Sequence, residues 1–224
     1  MSFEPLLLSL RVSTIATFLV FFFAMFTARF FSKREFCGKD LIESFFLLPI
    51  VLPPTVVGFI LLYLFNRNGL IGVILSDWFG IQVVFNWIGA LIAAIVVAFP
   101  LMYQSAYAAF SSYDQKFENA ALTMGASRFR VFWTIAFPLA WPGLLAGLVL
   151  TFARAIGEFG ATLMLAGYIP GRTDTVPMTI YFAVQSGNNR LAAIWTGILV
   201  ILGYSAVLWL NLWSKKKMLK YKRN

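Results

Sequence analysis

The sequence predicts an all-α integral membrane protein with five membrane-spanning helices, and three observations support this prediction. Of the 224 residues, 60% are hydrophobic and only 12% are charged, which is about half the charged fraction of a soluble domain. The mean hydropathy is +0.81. The apolar residues are also gathered into runs long enough to cross a bilayer, which takes about 20 residues.

The uncharged runs define the predicted spans in order along the chain. They cover 12–28 with an apolar extension upstream through 6–10, then 44–66, 87–107, 131–153 and 191–214. The apolar pattern of the fourth run resumes beyond two charged residues to about Ala166. Residues 175–189 are apolar but short and interrupted, which indicates a partial or re-entrant helix outside the count. Residues 1–224 are therefore expected to form a single transmembrane domain.

The basic residues predict a topology with the N-terminus outside and the C-terminus in the cytoplasm. Thirteen then lie on the cytoplasmic side: Arg29, Lys33, Arg34, Lys39, Lys116, Arg128, Arg130 and six in the tail 214–224. Four lie outside: Arg11, Arg67, Arg172 and Arg190. The net charge of +9 is thus explained by orientation and by contact with membrane lipids, and nucleic-acid binding is not expected.

The composition also excludes several chemistries. The chain has no histidine and a single cysteine, Cys37, so histidine-based metal sites and nucleophile pairs cannot be built. No aspartate lies in a predicted span, which excludes a paired-aspartate intramembrane protease. The phosphate-loop pattern G-x-x-x-x-G-K-[ST] is missing from the sequence. These absences exclude the enzymes that depend on such sites, and if the protein is driven by ATP, a separate subunit must supply the hydrolysis.

The segment 114–143 predicts two short cytoplasmic helices joined by a glycine turn. Asp114 is a candidate N-cap, and Gly125 is expected to stop the first helix. Ser127 can cap the second helix, and Pro138 is expected to end it. The expected apolar face of the second helix comprises Phe129, Phe132, Trp133 and Ala136. By periodicity alone, a lipid-bound interfacial helix and a docking surface for a partner protein fit equally well.

Three prolines interrupt the second predicted span: Pro49, Pro53 and Pro54, with Gly58 just beyond them. Each proline removes a backbone N–H, and the freed carbonyl is tolerated in a membrane only where protein or a water-filled cavity satisfies it. The pattern predicts a bend beside a transport path. A kink that serves packing alone is the alternative.

The fourth span carries two charged residues, Arg154 and Glu158. Each alone costs about 2.5–3.5 kcal/mol near the membrane centre, and their spacing of four predicts a pair on one helix face. The pair is either a structural contact or the flank of an anion path, in which Arg154 attracts the anion and Glu158 prevents tight capture. Gly157 and Gly160 would let a neighbouring helix come close.

The string E-N-A-A-x-x-x-G-A-S, followed by F-W-x-I-x-F-P, resembles the coupling-loop signature of bacterial ABC-importer permeases. The family pattern is E-A-A, three residues, glycine and then I-x-L-P. The matching positions are Glu118, Ala120, Ala121, Gly125, Ile135 and Pro138. Asn119 is an insertion, and Phe137 replaces the usual leucine. The resemblance implies a coupling loop at about 108–138 that docks on an ATP-hydrolysing subunit, with Ser127 and Arg128 beside the matched residues.

Three further strings, L-P-x-V-L-P-P-x-V-V-G-F, R-x-x-G-E-F-G-A-T and I-P-G-x-T-x-T-V-P, look like the permease subunit of molybdate importers. The resemblance implies the type I ABC-importer permease fold in a bacterial cytoplasmic (inner) membrane. It also implies a homodimer, a cytoplasmic ATPase dimer that carries ATP and Mg²⁺, and an external oxyanion-binding protein, with no cofactor on this chain. The translocation path or gate would include Pro49, Pro53, Pro54, Gly58, Arg154, Glu158, Gly160 and Thr162.

Several alternatives stay open. The E-F-G-A element also occurs in related sulfate permeases, and sulfate and tungstate are tetrahedral dianions like molybdate. A channel or an ion-coupled carrier would need no ATPase, and the loop signature would then be a coincidence.

Overall fold

The computed structural model describes residues 3–221, and side chains as far as Trp213 with the exception of residue 211. This part of the chain contains helices and no strand. The helices are α1 (Glu4–Lys33), α2 (Lys39–Val51), α3 (Pro54–Phe65), α4 (Leu70–Phe79), α5 (Trp87–Ser111), α6 (Lys116–Thr123), α7 (Arg128–Val131), a π-helical turn (Phe132–Ala136), α8 (Phe137–Ile156), α9 (Gly160–Ala166), α10 (Val176–Gln185) and α11 (Asn189–Tyr221). The all-α prediction is confirmed.

Four helical stretches are long and apolar enough to cross a membrane: Glu4–Lys33, Trp87–Ser111, Arg128–Ile156 and Asn189–Leu210. The second predicted span, 44–66, is instead the pair α2 and α3, which meet at an angle of 114°. The described residues therefore hold four spans, or five if the bent pair is counted as one. The basic tail 214–224 lies outside the described side chains, and the orientation of the termini stays a prediction.

Two predicted helix ends are wrong. Pro138 was expected to end the second loop helix, but it lies in the first turn of α8. Residues 128–156 form one continuous helical stretch, and Pro138 lies inside it just after the π-helical turn. The proline removes one backbone N–H, and the altered hydrogen-bond spacing of the preceding π-helical turn lets the helix continue past it. The fourth span was expected to continue to Ala166. It ends at Ile156, and α9 follows after a break at 157–159.

Helices α1, α5 and α8 pack around a core of small residues. Ala24 and Ala28 of α1 and Ala106 of α5 are fully buried. Helices in lipid associate by close packing rather than by a hydrophobic drive, so small side chains at the contact are expected. On α8, a Cβ added to Gly143 would lie 2.7 Å from the Cβ of Ala109, and one added to Gly147 would lie 2.6 Å from the Cβ of Ser105.

Replacing Gly147 with leucine should therefore force α5 and α8 apart. Overpacking of this kind costs about 1–3 kcal/mol, so we expect a lower midpoint of thermal unfolding for the purified protein in detergent. Gly197→Leu is the matched control, because no atom lies within 4 Å of a Cβ added at that helical glycine. Equal midpoints for the two variants would contradict the close approach at Gly147.

Candidate coupling loop and helix break

The predicted coupling loop is a helix, a left-handed glycine and a second helix. Helix α6 spans Lys116–Thr123, and Gly125 follows it with φ +85°, a conformation that glycine adopts without steric cost. Ser127 caps α7, since its hydroxyl accepts from the N–H of Arg130 at 3.3 Å. Asp114 lies outside α6 and accepts from the N–H of Lys116 at 2.9 Å.

Glu118 lies at the centre of a buried ionic cluster, the Glu118 cluster, formed with Arg29, Lys33 and Tyr113. Its carboxylate accepts from the two terminal nitrogens of Arg29 at 3.0 and 2.5 Å and from the Tyr113 hydroxyl at 2.5 Å. The ammonium of Lys33 lies 3.0 Å from the same carboxylate. Glu118 is only 5% exposed. It therefore holds α6 against the end of α1 and the residues after α5.

The cluster keeps the Glu118 carboxylate charged. Burial by itself would raise its pKa, but hydrogen bonds from Arg29, Tyr113 and Lys33 outweigh burial and lower the pKa to about 2. The pKa of the Tyr113 hydroxyl is raised by burial and by its hydrogen bond to Glu118, so Tyr113 stays a donor. The groups of the cluster thus keep the same charges throughout the neutral pH range.

The other side chains of the loop face outward. Ala120, Gly125, Ser127 and Arg128 are exposed, and Ala121 is half-buried. Three large apolar side chains are uncovered as well: Phe117 at 58%, Met124 at 86% and Phe129 at 76% exposure. We call these three residues, with Ala120 and Gly125, the loop surface.

The predicted single aromatic face of the second loop helix is wrong. Phe129 and Trp133 are exposed, whereas Ala136 is fully buried. Phe132 packs toward the core, with its ring 6.0 Å from that of Phe26. The π-helical turn over Phe132–Ala136 holds one more residue than an α-helical turn, so side chains before and after it do not keep a single face.

The two interrupted segments of the predicted path lie against each other. A Cβ added to Gly58 in α3 would lie 2.7 Å from the Cα of Ala161 in α9, and one added to Gly160 would lie 3.0 Å from the Cβ of Pro54. Thr162 is buried in the same region, with 1% exposure. The bend at Pro53 and Pro54 thus packs on the break that follows α8.

Pro49 does not join this contact. It lies inside α2 and lines an apolar groove of about 380 Å³ between the bent pair and α5, with Phe46, Leu52 and Phe99 among its walls. The sequence grouped Pro49 with Pro53 and Pro54. In the structure, the 114° bend leaves Pro49 in the apolar groove and Pro53 and Pro54 at the contact with α9.

Arg154 and Glu158 bridge the break rather than sharing a helix face. Arg154 lies in the last turn of α8, and its guanidinium lies 2.6 Å from the carboxylate of Glu158. The other oxygen of Glu158 accepts from the N–H of Ala161 at 2.9 Å, one of the free donors at the start of α9. Glu158 is 3% exposed, whereas the Arg154 side chain is 32% exposed. The geometry gives Glu158 a structural contact on both sides of the break.

The sequence did not reveal the partners of Glu118. Arg29 and Lys33 were assigned only to topology, and Tyr113 to no role. A signal was present, since Arg29 and Lys33 are four residues apart and so lie on one face of α1. Their distance of more than 80 residues from Glu118 along the chain left no local pattern by which to connect them.

Comparisons with known proteins show the family to which the chain belongs. Residues 15–220 match the family model described as "Binding-protein-dependent transport system inner membrane component". The chain is 48% identical over 202 residues to the putative molybdenum transport system permease protein YvgM of Bacillus subtilis, covering 90% of this chain and 89% of that protein. It is 46% identical over 190 residues to the molybdenum transport system permease protein ModB of Escherichia coli K12, covering 85% and 83%.

A probable sulfate transport system permease protein, cysT of Marchantia polymorpha, is 32% identical over 220 residues, covering 95% of this chain and 76% of that protein.

Solved structures share the fold. A chain of the MetNI methionine ABC transporter in an inward-facing conformation superposes with a TM-score of 0.71 at 16% identity, covering 95% of this chain and 94% of that one. A chain of a bacterial ABC transporter for alginate import superposes with a TM-score of 0.74 at 17% identity, covering 96% and 80%. The chain therefore belongs to the family of binding-protein-dependent transport system inner membrane components, multi-pass membrane proteins, and has the fold of type I ABC-importer permeases.

Proposed function

We propose that this chain is the permease subunit of an ATP-driven molybdate importer. Two copies would form the path, a dimeric cytoplasmic ATPase would bind ATP and Mg²⁺, and an external binding protein would deliver the oxyanion. The single observation that supports molybdate as the substrate is the difference in sequence identity to two groups of relatives. Relatives named as molybdenum permeases are 44–48% identical, whereas those named as sulfate permeases are 32–34% identical.

The loop surface supports coupling to an ATPase. A cytosolic protein with an apolar cleft could cover Phe117, Met124 and Phe129, which are 58–86% exposed, and small residues at Ala120 and Gly125 would let its backbone approach. The loop can transmit force because Glu118 fixes α6 to Arg29 and Lys33 of α1. A displacement of α6 would therefore be passed to α1 and α5 as a rigid-body movement.

The contact between α3 and α9 is the proposed gate wall. Both segments are interrupted helices, and interruptions in a membrane are tolerated where they are buried in protein or line a water-filled cavity. Residues 49–58 and 154–162 would move when α5 and α8 move, because α9 packs on α5 and follows α8 after a break of three residues. In this proposal Arg154, with its partly exposed side chain, faces the path, and Glu158 holds it in place.

We expect cells lacking this gene to regain uptake of labelled molybdate when the wild-type chain is supplied with its ATPase and binding protein. Excess unlabelled sulfate should leave the uptake of molybdate unchanged. Competition by excess unlabelled tungstate is measured in parallel. Loss of the signal with sulfate would move the substrate to sulfate while keeping the importer class. Uptake that persists without any ATPase would instead favour a channel or carrier.

We expect Gly125→Asp to abolish association with the ATPase, measured as co-purification from membranes, and to lower molybdate uptake at least tenfold. The charge would be placed on the loop surface, in a position with no atom of this chain within 4 Å. Gly80→Asp is the matched control, since Gly80 is also left-handed, with φ +64°, and equally free of neighbours. Normal co-purification of the Gly125 variant would refute the docking role.

Glu118→Gln should loosen α6 from α1. Loss of the charged acceptor costs about 1–3 kcal/mol, so hydrogen exchange of amides 116–125 should speed up by about tenfold or more. Glu35→Gln is the control, because Glu35 pairs with Lys39 but its side chain is 89% exposed, and such pairs contribute little.

The pH dependence of this effect follows from the sign of the shift. The folded pKa of Glu118 lies below the ordinary value of 4.5, so its stabilisation is complete above that value and is lost as the pH falls toward 2. The difference between Glu118→Gln and wild type should therefore be constant from about pH 5 to 8. A difference that changes within that range would contradict the fixed charge arrangement.

A further inference from the structure

A cavity of about 560 Å³ lies at the end of the bundle opposite to the coupling loop, and we call it the arginine pocket. Its walls include Arg11, Arg172, Gln82, Asn86, Trp87 and Phe85. Arg11 is 18 positions before Arg29 on the same helix, which is about 27 Å along the axis. That distance is close to the thickness of the hydrocarbon layer, so the pocket and the Glu118 cluster belong to opposite membrane faces.

Within the described part of the chain, the two arginines of the pocket are not held in ion pairs. Neither Arg11 nor Arg172 forms an ion pair with any of the described carboxylates. Two acids lie near the pocket: the carboxylate of Glu4 would lie 3.4 Å from a Cβ on Gly171, and Asp174, two residues after Arg172, is buried with 6% exposure. The guanidinium of Arg11 rests on the ring of Trp87, 4.2 Å from its centroid, which orients the charge without neutralising it.

The loop that presents Arg172 is rigid and is joined to α1. The buried hydroxyl of Thr173 donates to the carbonyl of Gly167 at 2.7 Å and accepts from the N–H of Ile169 at 2.9 Å. The N–H of Val176 donates to the hydroxyl of Ser9 at 2.8 Å. Because Ser9 lies two residues before Arg11, the two arginines are held in a fixed relation although they are far apart in sequence.

A strained residue, Phe85, forms part of the pocket wall. Phe85 has φ +57° and is the one non-glycine residue with a positive φ among those described. Its N–H donates to the carbonyl of Leu165 at 3.1 Å, and its ring lies against Gly167, where an added Cβ would be 2.8 Å away. Such strain persists only where the surroundings fix it, and it is frequent at binding sites.

We propose that the arginine pocket is a transient binding site for the tetrahedral oxyanion as it leaves the external binding protein. Two guanidinium groups supply charge and directed donors for a dianion, and the side-chain amides of Gln82 and Asn86 add neutral donors. The open mouth and the small number of fixed donors suit brief capture. This inference rests on the proposed function, because it takes its ligand from it.

The test uses the complex of permease and ATPase in nanodiscs, titrated with sodium molybdate while tryptophan fluorescence is followed. We expect a saturable change that is lost in Trp87→Phe, because Trp87 lies under Arg11. Arg11→Gln and Arg172→Gln should each raise the half-saturating concentration about tenfold, the loss of one charge-assisted contact. Arg11→Lys with Arg172→Lys should restore most of the binding. Arg190→Gln is the charge-matched control outside the pocket and should bind as the wild type does.

Three results would overturn the proposal. The first is wild-type binding by the double Arg→Gln variant. The second is a signal that requires phosphatidylglycerol rather than phosphatidylcholine nanodiscs and that molybdate does not displace, since the pocket would then hold a lipid headgroup. The third is a wild-type complex that gives no molybdate signal, together with a double Arg→Gln variant that no longer captures the binding protein. The pocket would then dock an acidic protein surface.

The outcome separates the two proposals. Arginine-dependent molybdate binding without molybdate uptake in cells would refute the proposed function and leave the anion site standing. Molybdate uptake that is the same in wild type and in the double Arg→Gln variant, with no arginine-dependent binding, would refute the anion site alone.

Discussion

The rest of the structure depends on how the chain covers its interrupted helices. Hydrocarbon offers no water to an unbonded N–H or C=O, so a break in a spanning helix must be satisfied by protein or must line a wet cavity. This chain has a break between α2 and α3 and another between α8 and α9. It packs the helices next to these breaks together, with Pro54 against Gly160 and Gly58 against Ala161, and Glu158 satisfies an N–H at the start of α9. Glycines are needed at this contact because a larger side chain at either position would collide with the opposite helix. The breaks are therefore one composite feature, formed by two distant parts of the chain.

The pairing of opposite charges explains how the interior of the protein tolerates ionisable residues. Glu118 would be expensive to bury alone, yet two cations and a hydroxyl surround it. Arg154 and Glu158 likewise share one contact at the break. In each case the removal of the cations would leave the carboxylate as a buried unpaired charge, which costs more than the pair contributes. These groups therefore fix the geometry of helix ends, α6 against α1 in one case and α9 against α8 in the other, and the surrounding spans can remain apolar.

Much of the fold could be predicted from periodicity and charge, and the failures have identifiable causes. The long uncharged runs predicted α1, α5, α8 and α11, and the three prolines predicted the bend between α2 and α3.

Pro138 was assigned the wrong role because a proline usually ends a helix, whereas here it follows a π-helical turn inside a continuous helical stretch. The aromatic face failed because a π-helical turn leaves no signature in a 3.6-residue pattern. The loop signature identified Glu118, but its burial could not be predicted, because Arg29 and Lys33 belong to a helix about 90 residues earlier. The small-residue contact at Gly143 and Gly147 was readable as G-x-x-x-G and was missed.

Helix α1 connects the two ends of the molecule. It is an unbroken helix from Glu4 to Lys33, and it carries Arg11 near one membrane face and Arg29 and Lys33 near the other. Its contacts with α5 run along most of its length, from Val12 and Ala16 to Ala28 and Phe31. Because a packed helix moves as a rigid body, a displacement of α6 through Glu118 would also displace Arg11 relative to Arg172 unless the Ser9–Val176 contact carried the loop with it. That hydrogen bond does connect the loop to α1. On the proposed function, the pocket would therefore move as a unit with α1. Phe85 would move with this unit, because its ring lies against Gly167 in the same loop and because Trp87, two residues later, contacts Arg11 of α1.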